Sequence, residues 1–309
     1  MDHRKALVAL HQNISQVVFG KSDAVTLALI ALLAEGHLLI EDMPGLGKTV
    51  LARALAQSVS GDFRRLQCTP DLMPGDVTGI SIFNQKTGQF EFSPGPVFTN
   101  ILLADEINRA PPRAQSSLLE GMAEHQVTVD GKTHILPDVF MVVATQNPLE
   151  LHGTYPLPEA QLDRFLMRIR MGYPDTAAEL KMLRSQQEGH PLERLQPVLS
   201  VDQVREAQRQ VRAVTVADNV AEYAIRLAQE SRKHPELAAG ISPRGVLALT
   251  RAAQALAFIK GVEFVTPQMV KYLAPHVLAH RVIMRDGGQG EGTGERAILD
   301  VSSRVAVPV

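Results

Sequence analysis

The stretch HLLIEDMPGLGKT spans His37 to Thr49. Its apolar run, Leu38, Leu39 and Ile40, is short enough for a buried strand, and Val50 to Ser58 continues in a helical pattern. Between them lie Pro44, Gly45, Leu46, Gly47, Lys48 and Thr49. Strand, glycine-rich turn, GKT and helix in that order predict a phosphate-binding loop. Backbone N–H groups at a helix N-terminus hold phosphate oxygens because they are unpaired donors at the positive end of the helix dipole. Lys48 supplies a point charge for the terminal phosphates, and the Thr49 hydroxyl is placed for Mg2+. Pro44 through Val50 are therefore expected to bind a nucleoside triphosphate. One position departs from the usual pattern: Asp42 stands five residues before Gly47, where such loops commonly carry glycine. A carboxylate aimed inward would repel phosphate, so Asp42 is expected to turn away.

Bulk composition narrows the function classes. The 309 residues suffice for two domains or one large one, and 45% hydrophobic residues can bury a real core. A net charge of −2 with 21% charged residues gives no whole-chain footprint for nucleic acid. Trp is absent and aromatics are 5%, which leaves few platforms for stacking single-stranded bases. The single cysteine, Cys68, excludes an internal disulfide and fits a cytoplasmic location. No stretch reaches the ~20 apolar residues of a membrane-spanning helix, and the N-terminus lacks a signal-peptide core. Membrane insertion is not expected.

Along the chain, residues 22–35 read as a helix with Ser22 as candidate N-cap, and 37–41 as the strand before the loop. Phe63 to Gln67 reads as a second strand. Residues 68–98 carry four Pro and four Gly, yet Ile80–Asn84 and Gln89–Ser93 alternate around a turn, a hairpin signal. Gln126 to Leu136 gives a second hairpin with Asp130-Gly131 at its turn. Ile101 to Ala104 and Val139 to Thr145 read as buried strands, with a helix from Pro111-Pro112 to His125 between them. A short helix at Glu159–Phe165 and a last strand at Arg168–Arg170 follow. Beyond Tyr173-Pro174 the pattern is helical: 176–187, 201–213, 217–232, 242–259 and 267–280. Ser200, Ser242-Pro243 and Thr266-Pro267 mark three starts. Arg285 to Glu295 is Gly-rich and reads as a mobile end. The expected architecture is an α/β parallel-sheet core with two hairpin inserts over residues 1–185, then an all-α lid over 186–309 with a Gly-rich tail.

Asp105 and Glu106 end the apolar strand Ile101–Ala104. Open α/β sheets bind ligands at the carboxyl ends of their strands. Asp105 would sit beside the loop and help hold Mg2+, and Glu106 would polarise the attacking water. Phosphoryl transfer asks mainly for positioning and charge neutralisation, which such a set supplies. His276 and His280, at i and i+4, have metal-ligand spacing but no HExxH and no third ligand. Cys68 lacks a paired His motif and reads as a structural thiol. Arg109 and Arg113 flank the Pro-Pro turn and read equally as a subunit interface or a nucleotide contact in trans, or as a solvated face.

With the loop, Leu102-Leu103-Ala104-Asp105-Glu106 and Ala144-Thr145-Gln146-Asn147-Pro148 resemble Walker A, Walker B and sensor 1 of an AAA+ ATPase. EDMPGLGKT, DEINRAPPRAQSSLLEGM, ATQNP and PEAQLDRF resemble the MoxR family, over about Val18 to Val282. That family's pattern also carries the acidic residue matched by Asp42. The hairpins resemble the helix-2 insert and pre-sensor hairpin of the clade that includes magnesium chelatase. The resemblance implies ATP and Mg2+ as ligands, and further roles for single residues. Asn147 would hydrogen-bond the attacking water or the γ-phosphate. Arg164 would be an arginine finger acting in trans, which implies a homo-oligomeric ring, expected to be a hexamer. Arg244 would be sensor 2, carried by the lid. Phe19-Gly20 resembles the segment that packs near adenine. The same resemblance implies a chaperone-like motor that remodels, matures or metallates client proteins with partners containing a von Willebrand factor A (VWA) domain. A DNA-acting ring motor would need basic hairpin tips, and here the tips offer only Lys86 and Lys132. A chelatase-type motor subunit shares the hairpins and the ring. A switch without turnover would not need Lys48, Asp105, Glu106, Asn147 and Arg164 together.

Overall fold

A computed structural model of the chain describes residues 3–148, 153–187, 189, 191–285 and 292–308. The first half runs α1 (His3–Ser15), α2 (Ser22–Leu33), β1 (Leu38–Glu41), α3 (Lys48–Ser58), β2 (Phe63–Gln67), α4 (Pro74–Thr78), β3 (Gly79–Asn84), β4 (Gln89–Pro94), β5 (Ile101–Asp105), α5 (Pro112–Glu124), β6 (Gln126–Val129), β7 (Lys132–Ile135), β8 (Met141–Gln146), α6 (Glu159–Leu162) and β9 (Met167–Ile169). The second half runs α7 (Thr176–Gln187), α8 (Val201–Arg212), α9 (Asp218–Ser231), β10 (Leu237–Ala239), α10 (Pro243–Lys260), α11 (Pro267–Leu278), β11 (Ile283–Met284) and α12 (Thr293–Arg304).

Five strands form one parallel sheet in the order β2-β5-β8-β1-β9. Its inner strands are apolar up to their carboxyl ends, as strands covered on both faces must be. Leu38, Leu39 and Ile40 of β1 and Ile101 to Ala104 of β5 are wholly buried. Because the strands are parallel, their carboxyl ends share one edge. The phosphate loop follows β1 there, Asp105 closes β5, and Asn147 follows β8.

Both hairpins form as the alternation predicts, β3 with β4 and β6 with β7. They meet where Phe92 stacks on His134 with ring centroids 3.8 Å apart. Outward-facing Ile80, Ile82, Phe83 and Phe90 remain exposed.

Helix α2 is apolar on every side, so it must be enclosed. Nine of its twelve residues are buried. One apolar cluster runs from α1 and α2 through β1 and α3 into α8, α9, α10 and α11, so the sheet layer and the helical half share a core. Ser200 caps α8 with a reciprocal capping box, and the Ser242 hydroxyl accepts from the Gly245 amide at 3.2 Å to start α10. Thr266 occupies the N-cap of α11 without a side-chain cap bond.

Two elements of the helical half differ from expectation. A short antiparallel ribbon, β10 with β11, joins residues far apart in sequence. The chain after the Gly-rich stretch is the helix α12, which buries Ala297, Ile298 and Val301. Of Arg285 to Glu295, read as a mobile end, residues 286–291 lie outside the described residues and Thr293–Glu295 instead begin α12. Among those described, no helix is long and apolar enough to cross a membrane.

Candidate functional site

The loop after β1 turns on two glycines. Gly45 and Gly47 have φ of 85° and 86°, a region that costs glycine little. Gly47 is the N-cap of α3, so the unpaired N–H groups of that helix open beneath the loop. A β-carbon on Gly45 would meet nothing within 4 Å, so the mouth of the cradle is open. The Lys48 ammonium donates to the carbonyls of Asp42 at 2.6 Å and Met43 at 2.8 Å. Burial lowers its pKa, while Asp42, Asp105 and Glu106 pull the other way and favour the charged form. Asp42 turns away from the loop, as expected. Its carboxylate accepts from the Met171 amide and, at 3.2 Å, from the Gly172 amide just past β9.

The acidic pair lies opposite. The buried Thr145 hydroxyl donates to Asp105 Oδ1 at 2.6 Å and accepts from the Glu106 amide at 2.8 Å. One hydroxyl thus fixes both residues. Glu106 has φ 57°, an uncommon conformation for a residue with a β-carbon. Its Oε2 accepts from Gln67 Nε2 at 3.0 Å and from Arg109 Nη1 at 3.1 Å. Arg109 therefore meets Glu106 within its own chain, while Arg113 is exposed. Arg65 Nε and Nη2 donate to Asp105 Oδ2 at 3.1 and 2.7 Å, and Nη2 also donates to Gln67 Oε1 at 2.8 Å.

A cavity of about 400 Å3 joins the two halves. Pro44, Gly45, Gly47, Lys48, Thr49, Val50, Asp105, Glu106 and Asn147, all expected from sequence, line it. Leu46 belongs to the loop but not to the wall. Arg65, Gln67 and Thr145 also line it and were not anticipated. Arg65 and Gln67 alternate on β2, and only the parallel register that sets Gln67 beside Asp105 brings them to the site. The donor set suits a nucleotide with a hard divalent cation, because Thr49 and Asp105 offer oxygen ligands beside a largely buried ammonium.

Arg164 and Arg244 are not brought to this cavity. Arg164 Nη1 donates to the Leu119 carbonyl of α5 at 2.6 Å. Arg244 lies on α10 with Nε 3.5 Å from Asp163 Oδ2. The other Asp163 oxygen pairs with the buried Arg281, whose Nη2 donates to the Phe165 carbonyl at 2.7 Å. Asp163 thus faces the helical half through Arg244 and Arg281.

Cys68 is buried, and burial pushes its thiol up to about 12, followed by the nearby Asp105 and Glu106 charges. Burial and a raised thiol pKa fit the structural role read from sequence. His280 lies beyond the end of α11, and its Nε2 shares a hydrogen bond with the Phe165 carbonyl at 3.0 Å. Burial holds it well below the ordinary histidine range. Among the described residues no cluster of three metal-ligating side chains occurs.

Two family models match: the ATPase family associated with various cellular activities (AAA) over residues 37–167, and the AAA lid domain over 229–300. The chain is 51% identical to the uncharacterized protein YeaC of Bacillus subtilis, over 96% of this chain and 93% of that one. It is 38% identical to chaperone MoxR1 of Mycobacterium tuberculosis, covering 96% of this chain and 80% of the relative. A crystal structure from Cytophaga hutchinsonii superposes with a TM-score of 0.91 at 37% identity, over 99% of this chain and 96% of that one. With its parallel-sheet core, its loop and acidic pair in one cavity, and relatives of this kind along almost its whole length, the chain belongs to the MoxR family of AAA+ ATPases.

Proposed function

We propose that this ATPase is the motor of a chaperone-like ring, and that the cavity between Lys48 and Glu106 is where it hydrolyses ATP. The observation that carries the reading is the single Thr145 hydroxyl fixing Asp105 and Glu106 across from the Lys48 loop. Residues 44–50 hold the phosphates, with Lys48 on the terminal ones. Thr49 and Asp105 would hold Mg2+, whose charge neutralises phosphate oxygens. Glu106 takes a proton from water as the water oxygen bonds to the γ-phosphorus. The bond from that phosphorus to the bridging oxygen breaks, giving ADP and phosphate. Asn147 orients the water or the γ-phosphate.

Arg164 completes a neighbouring subunit's site in this reading. Its place outside the chain's own cavity supports action in trans, and with it a hexameric ring. Arg244 reaches the nucleotide when the helical half, residues 186–309, closes on the core, residues 1–185. The first hairpin exposes Ile80, Ile82, Phe83 and Phe90, an apolar set that favours protein clients over DNA. Client remodelling or metallation with VWA-domain partners, in the cytoplasm, is the biological setting we infer.

Glu106→Gln tests the chemistry. It should bind ATP with near-normal affinity and hydrolyse it at least about a hundredfold more slowly, the usual weight of general-base catalysis. Near-normal turnover would remove Glu106 from its role.

A further inference from the structure

Asp105 Oδ1 is taken by the Thr145 hydroxyl, and Oδ2 by Arg65 through two N–H groups. A guanidinium bound through two N–H groups and a hydrated divalent cation repel each other when both approach one carboxylate oxygen, so they compete for it. The two partners differ in how firmly they are held. Thr145 is buried in β8. The Arg65 side chain is 51% exposed and sits on a long stem at the rim of the cavity, against 13% for Asp105. Breaking such an exposed pair costs little, and water is ready to solvate the released guanidinium.

We propose that Arg65 is a placeholder cation on Asp105, giving up Oδ2 when a nucleotide brings its divalent metal. This positioning role rests on the nucleotide reading above. It accounts for three features together: a cation aimed at the one carboxylate the metal needs, its exposure, and its tie to Gln67. Arg65 Nη2 also donates to Gln67 Oε1, and the Gln67 amide donates to Glu106 Oε2. Withdrawal of Arg65 therefore frees Gln67 on the side away from Glu106, so the acidic pair registers metal entry as one unit.

The test is the metal coupling of nucleotide binding. The Kd of a fluorescent, non-hydrolysable ATP analogue is measured in EDTA and in saturating Mg2+, for wild type and Arg65→Gln. The ratio of the two Kd values reports how much the metal strengthens binding, independent of turnover. Removing the competing charge should raise that ratio about three- to tenfold, the weight of an exposed ion pair plus like-charge repulsion. A purely structural role for Arg65 would leave it unchanged. An unchanged or smaller ratio overturns the placeholder role while leaving the nucleotide reading intact. Failure of wild type to bind the analogue in either buffer overturns both.

Discussion

Thr145→Val removes one oxygen and keeps the shape. The residue is 1% exposed, so water cannot replace what is lost. Its hydroxyl makes two bonds, one donated to the Asp105 carboxylate and one accepted from the Glu106 amide. A bond to a charged group contributes about 1.5–3 kcal/mol and a neutral one about 1 kcal/mol, so stability should fall by about 3 kcal/mol. In a chain of this size that is a fall in Tm of roughly 5 °C. The second effect is on rate. Glu106 holds φ 57°, a backbone conformation that costs about 1–3 kcal/mol and persists only where neighbours impose it. With its amide released, Glu106 relaxes and its carboxylate drifts from the attacking water. A displacement near 1 Å costs up to about a hundredfold in rate. Thermal unfolding by circular dichroism and steady-state ATP turnover measure the two effects side by side. Thr145→Ser keeps the hydroxyl and should restore most of both. A valine variant with wild-type Tm and turnover would refute the pinning of Asp105 and Glu106 by this residue.

Other outcomes follow from the same geometry. Lys48→Ala should abolish binding of fluorescent ATP in a direct titration, and unchanged affinity would sink the loop assignment. Arg164→Ala should lose turnover yet regain part of it when mixed with Lys48→Ala subunits, because each supplies what the other lacks; no recovery at any mixing ratio would count against action in trans. His37 is buried, and desolvation holds its imidazole down to about 4 from the ordinary 6.5, partly opposed by its bond to the Met122 carbonyl. The unfolded chain takes up this proton below 6.5 and the fold does not, so stability falls as pH drops from about 6.5 to about 4. The loss amounts to about 3 kcal/mol at most. Urea unfolding across that window measures it, and an NMR titration of His37 centred near 6.5 would show the reasoning wrong.

Much of the site is legible in sequence because its parts are local. The loop is one contiguous turn whose glycines, lysine and threonine each have a single physical reason to be there. Asp105 and Asn147 are found by the apolar strands they terminate. Arg65 and Gln67 are hidden because they reach Asp105 and Glu106 only through the parallel pairing of β2 with β5, a long-range register that no local pattern encodes. Asp163 is hidden in the same way, since its partners Arg244 and Arg281 lie far along the chain. Helix α12 escapes notice because its start is a glycine run without a capping side chain. The ribbon of β10 and β11 is too short to show alternation.

Asp42 gives the phosphate loop a second point of attachment. A glycine there would remove the carboxylate and its bonds to the segment past β9. The carboxylate bolts the loop to the amides of Met171 and Gly172, where the chain leaves the sheet toward α7 and the helical half. Tyr173 adds a lighter tie, its hydroxyl 3.2 Å from the Met43 sulfur. Loop and exit segment are thus coupled in series, like two links of one crank. The loop built to grip a phosphate and the root of the helical half therefore share one set of hydrogen bonds.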